Sequence, residues 1–390
     1  MEQVIIPSVP LAAYVHIPFC RRRCFYCDFP ISVVGDKKRG ETSGTIDQYV
    51  KVLCQEIAIT PTLGQPLQTI FFGGGTPSLL SVDQLKRILT TLEGRFGIAP
   101  NGEISMEIDP GTFDLEHILG YRSALINRVS LGVQAFQEEL LVLCGRSHNI
   151  TDIYTAVDLI RQVEVPEFSL DLISGLPNQS LAMWSESLEK AIALAPTHIS
   201  IYDLTIEPGT AFGRYYQPGD KPLPTDETTV SMYRMARQIL TNAGYEHYEI
   251  SNYAQPGHQC RHNRVYWENR SYYAFGMGAA SYVEGKRFTR PRKTKEYYAW
   301  VEAGAVVDCE VTPLDEVLLD TLMVGLRLAE GVSIRSLRQF GQGKVEEIMK
   351  ILKPYFQSGW VTLAEDRLRL TDPEGFLFSN VVLAKLFEKL

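Results

Sequence analysis

AAYVHIPFCRRRCFYCDF, Ala12 to Phe29, runs an apolar, strand-like stretch straight into a loop with three cysteines in eight residues. Cys20, Cys24 and Cys27 are followed at position 29 by phenylalanine, where a fourth thiol would continue the series. Metal-site cysteines act as thiolates, and spacings of three and two residues let one loop wrap a small inorganic core. Structural zinc is the alternative. It takes four ligands, usually from paired CxxC or HxxxH elements, and no second pair is present; His16, the remaining candidate for a fourth ligand, falls in the strand. Three thiolates on a four-iron cubane leave one iron without a protein ligand, open to an exogenous amine and carboxylate.

Working outward, AAYVHIPF is the first of six short apolar stretches separated by helical patterns. The others are TIFFGG near residue 70, ISMEIDP near 106, RVSLGVQ near 131, FSLDLIS near 170 and HISIYDLTI near 201. Such alternation is a βα repeat. The helices show a single apolar face: Val82, Leu85, Ile88, Leu89, Leu92 and Phe96 share one, with Ser81 and Gln84 spaced as a capping box. Ile46, Val50, Leu53 and Ile57 form another, which places Cys54 within a helix as an expected core residue. Parallel strands usually read as continuous apolar runs, but these alternate. Period 2 puts Ser105, Glu107 and Asp109 on one face, likewise Ser130, Gly132 and Gln134, and Ser169 and Asp171. Polar inner faces on six strands predict an α/β fold built as a partial, TIM-like (β/α)6 barrel with a wet, ligand-sized lumen, unlike the apolar layers of a closed eight-stranded barrel.

Residues 1–285 are assigned to the barrel and 286–309, basic and aromatic at first, to a linker. Residues 310–390, patterned helix, helix, hairpin, are assigned to a C-terminal α+β domain of winged-helix-like form. That pattern invites a DNA-binding reading, but the segment carries 12 acidic against 10 basic side chains, and the chain as a whole has a net charge of −8. Duplex affinity rests on clustered cations, so no nucleic-acid partner is expected. The N-terminus lacks a basic region followed by an apolar one, and no run of 18 apolar residues occurs, so a soluble, cytoplasmic protein without a transmembrane segment is expected. Seven cysteines, three of them crowded, fit metal binding in a reducing compartment better than a disulfide framework.

CxxxCxxC with an aromatic before the last cysteine resembles the radical S-adenosylmethionine (radical SAM) superfamily. The resemblance implies a [4Fe-4S] cluster on Cys20, Cys24 and Cys27, with S-adenosylmethionine chelated at the open iron. FFGGGTPS, Phe71 to Ser78, is similar to that family's Gly-rich segment; a phosphate loop is the rival, but its GKS/T ending is absent. YVHIPFC, GGGTPS, EIDPGT, NRVSLGVQAF, LCGRSH and DLISGLP together resemble, over essentially the whole chain, the coproporphyrinogen dehydrogenase/heme chaperone group known as HemN and HemW. By position, Tyr14, Gly74 and Glu107 match contacts to the cluster-bound S-adenosylmethionine in that group. Tyr26, Gly75, Thr76, Gln134, Arg146 and Asp171 match contacts to a second molecule of it, an internal salt bridge being the alternative for Arg146 and Asp171.

The group contains two activities. One is a radical oxidative decarboxylase, the oxygen-independent coproporphyrinogen III oxidase; the other is a heme carrier that delivers heme to an acceptor protein. The oxidases carry a further cysteine where this chain has Phe29, and a longer segment before the first cysteine than the 19 residues here. CRHNRVYW, Cys260 to Trp267, resembles the HNxxYW motif linked with heme binding, with His262 as a candidate iron ligand, Tyr266 or Trp267 as a stacking surface and Cys260 as an alternative ligand. Lys286, Arg287, Arg290, Arg292 and Lys293 are cations able to meet heme propionates or to be solvated. The resemblance therefore implies a heme chaperone with heme, cluster and S-adenosylmethionine as cofactors, an unidentified heme acceptor as partner, and a homodimer.

Overall fold

The computed structural model describes residues 9–36 and 39–390; the first eight residues of the N-terminal segment lie outside it. The six expected strands all form: β1 (Ala12–Ile17), β2 (Leu67–Gly74), β3 (Ile98–Ile108), β4 (Arg128–Gln134), β5 (Glu167–Ser174) and β6 (His198–Asp203). Each pairs in parallel with the next in sequence order. Three shorter strands extend the sheet to nine. β7 (Glu246–Glu249) and β8 (Asn252–Ala254) add antiparallel pairs beyond β6, and β9 (Tyr273–Phe275) adds a parallel one beyond β1. The two edges, β9 and β7, do not pair, so the sheet curls into an open barrel.

Helices α1 (Gly44–Ile59), α2 (Val82–Phe96), α3 (Leu115–Ser123), α4 (Ile150–Gln162) and α5 (Leu181–Ala193) connect successive strands, α6 (Asp226–Asn242) lies between β6 and β7, and α7 (Arg261–Trp267) between β8 and β9. The Ser81–Gln84 capping box closes in both directions, satisfying two otherwise orphaned N–H groups. Ile88 and Leu92 on α2 and Ile104, Met106 and Ile108 on the outer face of β3 share one core. Each such side chain contributes roughly 1.5–3 kcal/mol by leaving water. The opposite face of the same strand is thereby committed to the lumen. Cys54 is half-buried against this core.

The expected linker is narrower than 286–309. β10 (Ala280–Val283) and β11 (Lys286–Thr289) form an antiparallel hairpin across the 285/286 boundary, and α8 (Thr294–Glu302) follows. Only 290–293 and 303–313 lack helix or strand. Fully buried Glu56 on α1 holds this segment to the barrel: Arg290 Nε donates to Oε1 (2.7 Å), while Tyr297 Oη (2.6 Å) and Gly276 N (2.8 Å) donate to Oε2. Sequence composition showed a basic stretch, but Arg290 is a core residue, and Arg287 pairs with Asp320.

Beyond the segment, α9 (Leu314–Gly325) and α10 (Gln342–Gln357) pack with β12 (Val332–Ser333), the hairpin β13 (Val361–Ala364) and β14 (Arg367–Leu370), and α11 (Ser379–Lys389). Sheet order β12-β14-β13 beside these helices gives the winged-helix-like form. Leu322, Leu326, Ile348, Leu352, Leu368 and Leu386 make a second core. Arg234 grips Glu374 with two hydrogen bonds, Asp372 receives Arg237 and His247, and Arg264 pairs with Glu330, which dock this unit on the barrel.

Removing one partner of a buried ion pair strands the other charge. Glu56→Ala is therefore expected to cost about 3–5 kcal/mol in the urea unfolding transition of the barrel; a loss below about 1 kcal/mol would contradict the role given to this carboxylate.

Candidate functional site

The cysteine loop is clipped at its ends, since Phe19–Cys20 pairs in parallel with Ser32–Val33. The three arginines between the first two thiols have separate tasks. Arg23 donates to the carbonyls of Cys27 (3.1 Å), Phe29 (3.2 Å) and Ile31 (3.3 Å), folding the loop about its own guanidinium. Arg21 donates to Gly111 O (2.8 Å), and Arg22 pairs with Asp36 at the surface. Cys20, Cys24 and Cys27 line a cavity of about 390 Å3 at one end of the barrel. Burial pushes the Cys20 thiol up to about 12 and the Cys27 thiol above its ordinary value, so these sulfurs call for a cation if they are to carry charge. His16 does not supply a fourth ligand: Nδ1 lies 3.0 Å from Tyr14 Oη and Nε2 3.1 Å from Pro30 O.

The glycines after β2 answer to close packing. A Cβ on Gly74, whose φ is +108°, would stand 2.3 Å from the His16 ring, and one on Gly75 would stand 2.7 Å from Phe19 O. Gly75 N donates to Ile17 O (2.8 Å) and Thr76 N to Phe19 O (2.7 Å), stitching this turn to the strand end that leads into Cys20. Thr76 Oγ1 then donates to Asp109 (3.2 Å).

Glu107, Asp109 and Asp171 project into the lumen from β3, the residue after it, and β5, as the alternation required. Glu107 accepts from Gly74 N (2.9 Å), yet burial and the nearby Asp171 push its carboxyl up to about 8. Burial lifts Asp171 to about 6 against the hydrogen bonds from Ser130. Arg146 does not pair with Asp171: its Nη2 donates to Asp109 Oδ1 (2.6 Å) and Gly132 O (3.0 Å), and its Nη1 lies 3.4 Å from Cys24 Sγ and 3.5 Å from Tyr26 Oη. Asp109 is thus paired with Arg146, whereas Glu107 and Asp171 have no cationic partner among the described residues, a lack that a cationic ligand would relieve. Gln134 borders the same cavity with φ +67°, at the register shift between β4 and β5, a strained backbone of the kind functional sites hold.

A second cavity, about 340 Å3, shares Phe29, Gly74, Glu107, Ser130, Asp171 and Tyr202 with the first and continues toward Arg128, His198 and Cys260. Tyr14 borders this deeper chamber, stacked on Phe71 (centroids 6.3 Å apart). Of the three candidate cluster cysteines, the nine residues matched to S-adenosylmethionine contacts and the first-choice iron ligand His262, all but one therefore surround one continuous lumen.

His262 is the exception. It lies on α7 (Arg261–Trp267), whose first two N–H groups, Arg261 N (3.1 Å) and His262 N (2.9 Å), donate to the Glu103 carboxylate. The ring is fully buried, stacked on Phe71; Nδ1 lies 2.9 Å from Thr69 Oγ1 and Nε2 2.8 Å from Tyr266 Oη. Burial holds its pKa down at about 3. As arranged here the imidazole has no nitrogen free for an iron; it is a strut between α7 and β2. Cys260 borders the deeper lumen chamber, and Trp267 faces a cleft between the barrel and the C-terminal domain. Asp109, Tyr202 and Glu103 were not singled out from the sequence. Asp109 already stood on the polar face of β3, whereas Tyr202 and Glu103 carried no comparable signal.

Residues 14–191 match the radical SAM superfamily and residues 312–378 the HemN C-terminal domain. The heme chaperone HemW of Synechocystis sp. is 48% identical, over 98% of this chain and 97% of that protein. HemW of Bacillus subtilis is 34% identical over 97% of this chain and all of that one, and HemW of Escherichia coli 35% over 96% and 97%. The coproporphyrinogen III oxidase HemN of Escherichia coli has the same fold, with a TM-score of 0.83 and 24% identity over 98% of this chain and 91% of that one. The chain belongs to the HemW family of radical SAM proteins.

A carboxyl raised on folding stays protonated while its unfolded counterpart ionises, so stability falls as pH rises between the two values. For Glu107 that window runs from 4.5 to about 8. Glu107→Gln is expected to flatten this fall in the ligand-free protein, a gain of order a few kcal/mol at pH 8 seen in thermal unfolding profiles. Parallel pH profiles for variant and parent would refute the assignment.

Proposed function

We propose that this protein is a heme chaperone: it binds heme and passes it to an acceptor protein in the cytoplasm, on a scaffold that also holds a [4Fe-4S] cluster and S-adenosylmethionine. The observation that carries this reading is the shared lumen, in which three thiols on one loop stand beside Glu107 and Asp171, two carboxyls with no cationic partner among the described residues, in a chain similar to HemW proteins along nearly its whole length. Cys20, Cys24 and Cys27 would hold the cluster. Bound there, it is a one-electron donor with one iron left for the amine and carboxylate of S-adenosylmethionine.

The chain's own groups suit that ligand. Glu107 offers two acceptor oxygens to a pair of ribose hydroxyls. Glu107, Asp109 and Asp171 together offset the positive sulfonium, and Arg146, already anchored by Asp109, stands beside Cys24 to meet a carboxylate or the cluster's charge. Gly74, Gly75 and Thr76 form the wall nearest Cys20, and Tyr26, Gln134 and Tyr14 complete the enclosure.

Coproporphyrinogen oxidation is the second reading, favoured by the fold shared with HemN. Phe29 argues against it. Its side chain, 55% exposed, borders both lumen cavities at the position where the oxidases have a cysteine. Anaerobic reconstitution is expected to give four irons per chain, lost in Cys20→Ala, Cys24→Ala or Cys27→Ala, and S-adenosylmethionine is expected to change the electron paramagnetic resonance of the reduced cluster. The same sample is expected to bind one hemin and to release no CO2 from coproporphyrinogen III. Turnover of the porphyrinogen would replace the carrier with the oxidase, and one zinc on four ligands would overturn both.

A further inference from the structure

A cavity of about 790 Å3, larger than either lumen chamber, lies between the barrel and the C-terminal domain. That is within the ~300–1,000 Å3 range of cofactor sites. Trp267 and Tyr282 contribute from the barrel side, and Val317, Leu328, Val332 and Phe340 from the other. These walls come from different domains and are mixed in character: Glu268, held by Arg264 and Arg270, and the exposed Glu284 line the gap as well.

Two donors on those walls have no acidic partner among the described residues. The Trp267 indole N–H is buried with no acceptor. Arg367 donates only to the backbone carbonyls of Glu330 and Gly331 (both 2.6 Å), and no carboxylate pairs with its guanidinium. At the mouth, Val311 and Leu314 line the cleft while 58% and 48% exposed. Exposed apolar side chains gathered beside a cleft mark a binding surface. The ligand that answers all of this is flat, largely apolar and carries carboxylates.

We infer that the interdomain cleft beside Trp267 receives the heme, and that the HNxxYW segment serves it by presenting Trp267 while His262 braces α7 from behind. This rests on the carrier reading above. The macrocycle lies between the Trp267 and Phe340 walls, with a propionate on Arg367. The exposed lip around Val311 and Leu314 is the side from which an acceptor takes it.

The test uses the full chain with its cluster reconstituted anaerobically, titrated with hemin and with hemin dimethyl ester and followed at the Soret band. Trp267→Leu and the surface change Leu314→Glu are expected to weaken hemin at least tenfold while leaving the melting temperature and S-adenosylmethionine binding as in the parent. Arg367→Gln is expected to weaken hemin but not the dimethyl ester. His262→Gln is expected to lower the melting temperature and leave the Soret position of bound ferric heme unchanged. Cleft variants that titrate like the parent would overturn the assignment, as would a folded His262→Gln protein with a shifted Soret band. Should His262→Gln fail to fold, Leu314→Glu alone decides. A parent protein that takes up no hemin would instead bring down the carrier reading itself, and this site with it.

Discussion

Two backbone hydrogen bonds, Gly75 N to Ile17 O and Thr76 N to Phe19 O, set the distance between the cysteine loop and everything it must work with. They join the end of β2 to the end of β1, so the thiol at Cys20 and the turn that donates to Glu107 become one rigid corner. No side chain fits at residues 74 or 75 without striking His16 or Phe19. The glycines are thus required by the protein's own packing before any ligand arrives. A ligand then finds the corner already built, which reduces the ordering that binding must impose.

The same economy governs charge. A parallel barrel with an apolar interior would close on itself, while this one places serines and carboxylates on the inner faces of β3 to β6. Desolvation makes those carboxylates hard to ionise, as the elevated Glu107 and Asp171 show. Ionising Glu107 and Asp171 in this lumen therefore carries an energetic cost that a cation can offset. Arg146 relieves only part of it, since it is committed to Asp109. On the proposed function, affinity for a sulfonium-bearing ligand and destabilisation of the ligand-free barrel would have one physical origin.

What the sequence made legible follows from periodicity. The six long strands, their polar faces and the capping box of α2 are local patterns, and each is present. The edge strands β7 to β9, three or four residues each, are too short to show a period. The 286–309 segment looked like a linker because composition cannot distinguish a solvated arginine from Arg290, whose charge is paired with a glutamate more than two hundred residues away. His262 shows the same limit: a motif gives residue type and spacing, but whether an imidazole nitrogen is free depends on Thr69 and Tyr266, and only the fold brings Thr69 there.

The strut also ties the two ligand regions together. On β2, Thr69 and Gly73 belong to one face, the first held to His262 and the second two residues short of the turn at Gly75. On β3, Glu103 and Glu107 likewise share a face, the first capping α7 and the second facing the lumen near Gly74. Each of two adjacent strands therefore has one end on α7 and the other on the cluster corner. α7 in turn ends at Trp267, on the wall of the interdomain cleft. A change at the cluster end that shifts either strand must be taken up by the hydrogen bonds of Glu103 and His262, so the direct covalent and hydrogen-bonded route from lumen to cleft passes through the motif that frames Trp267.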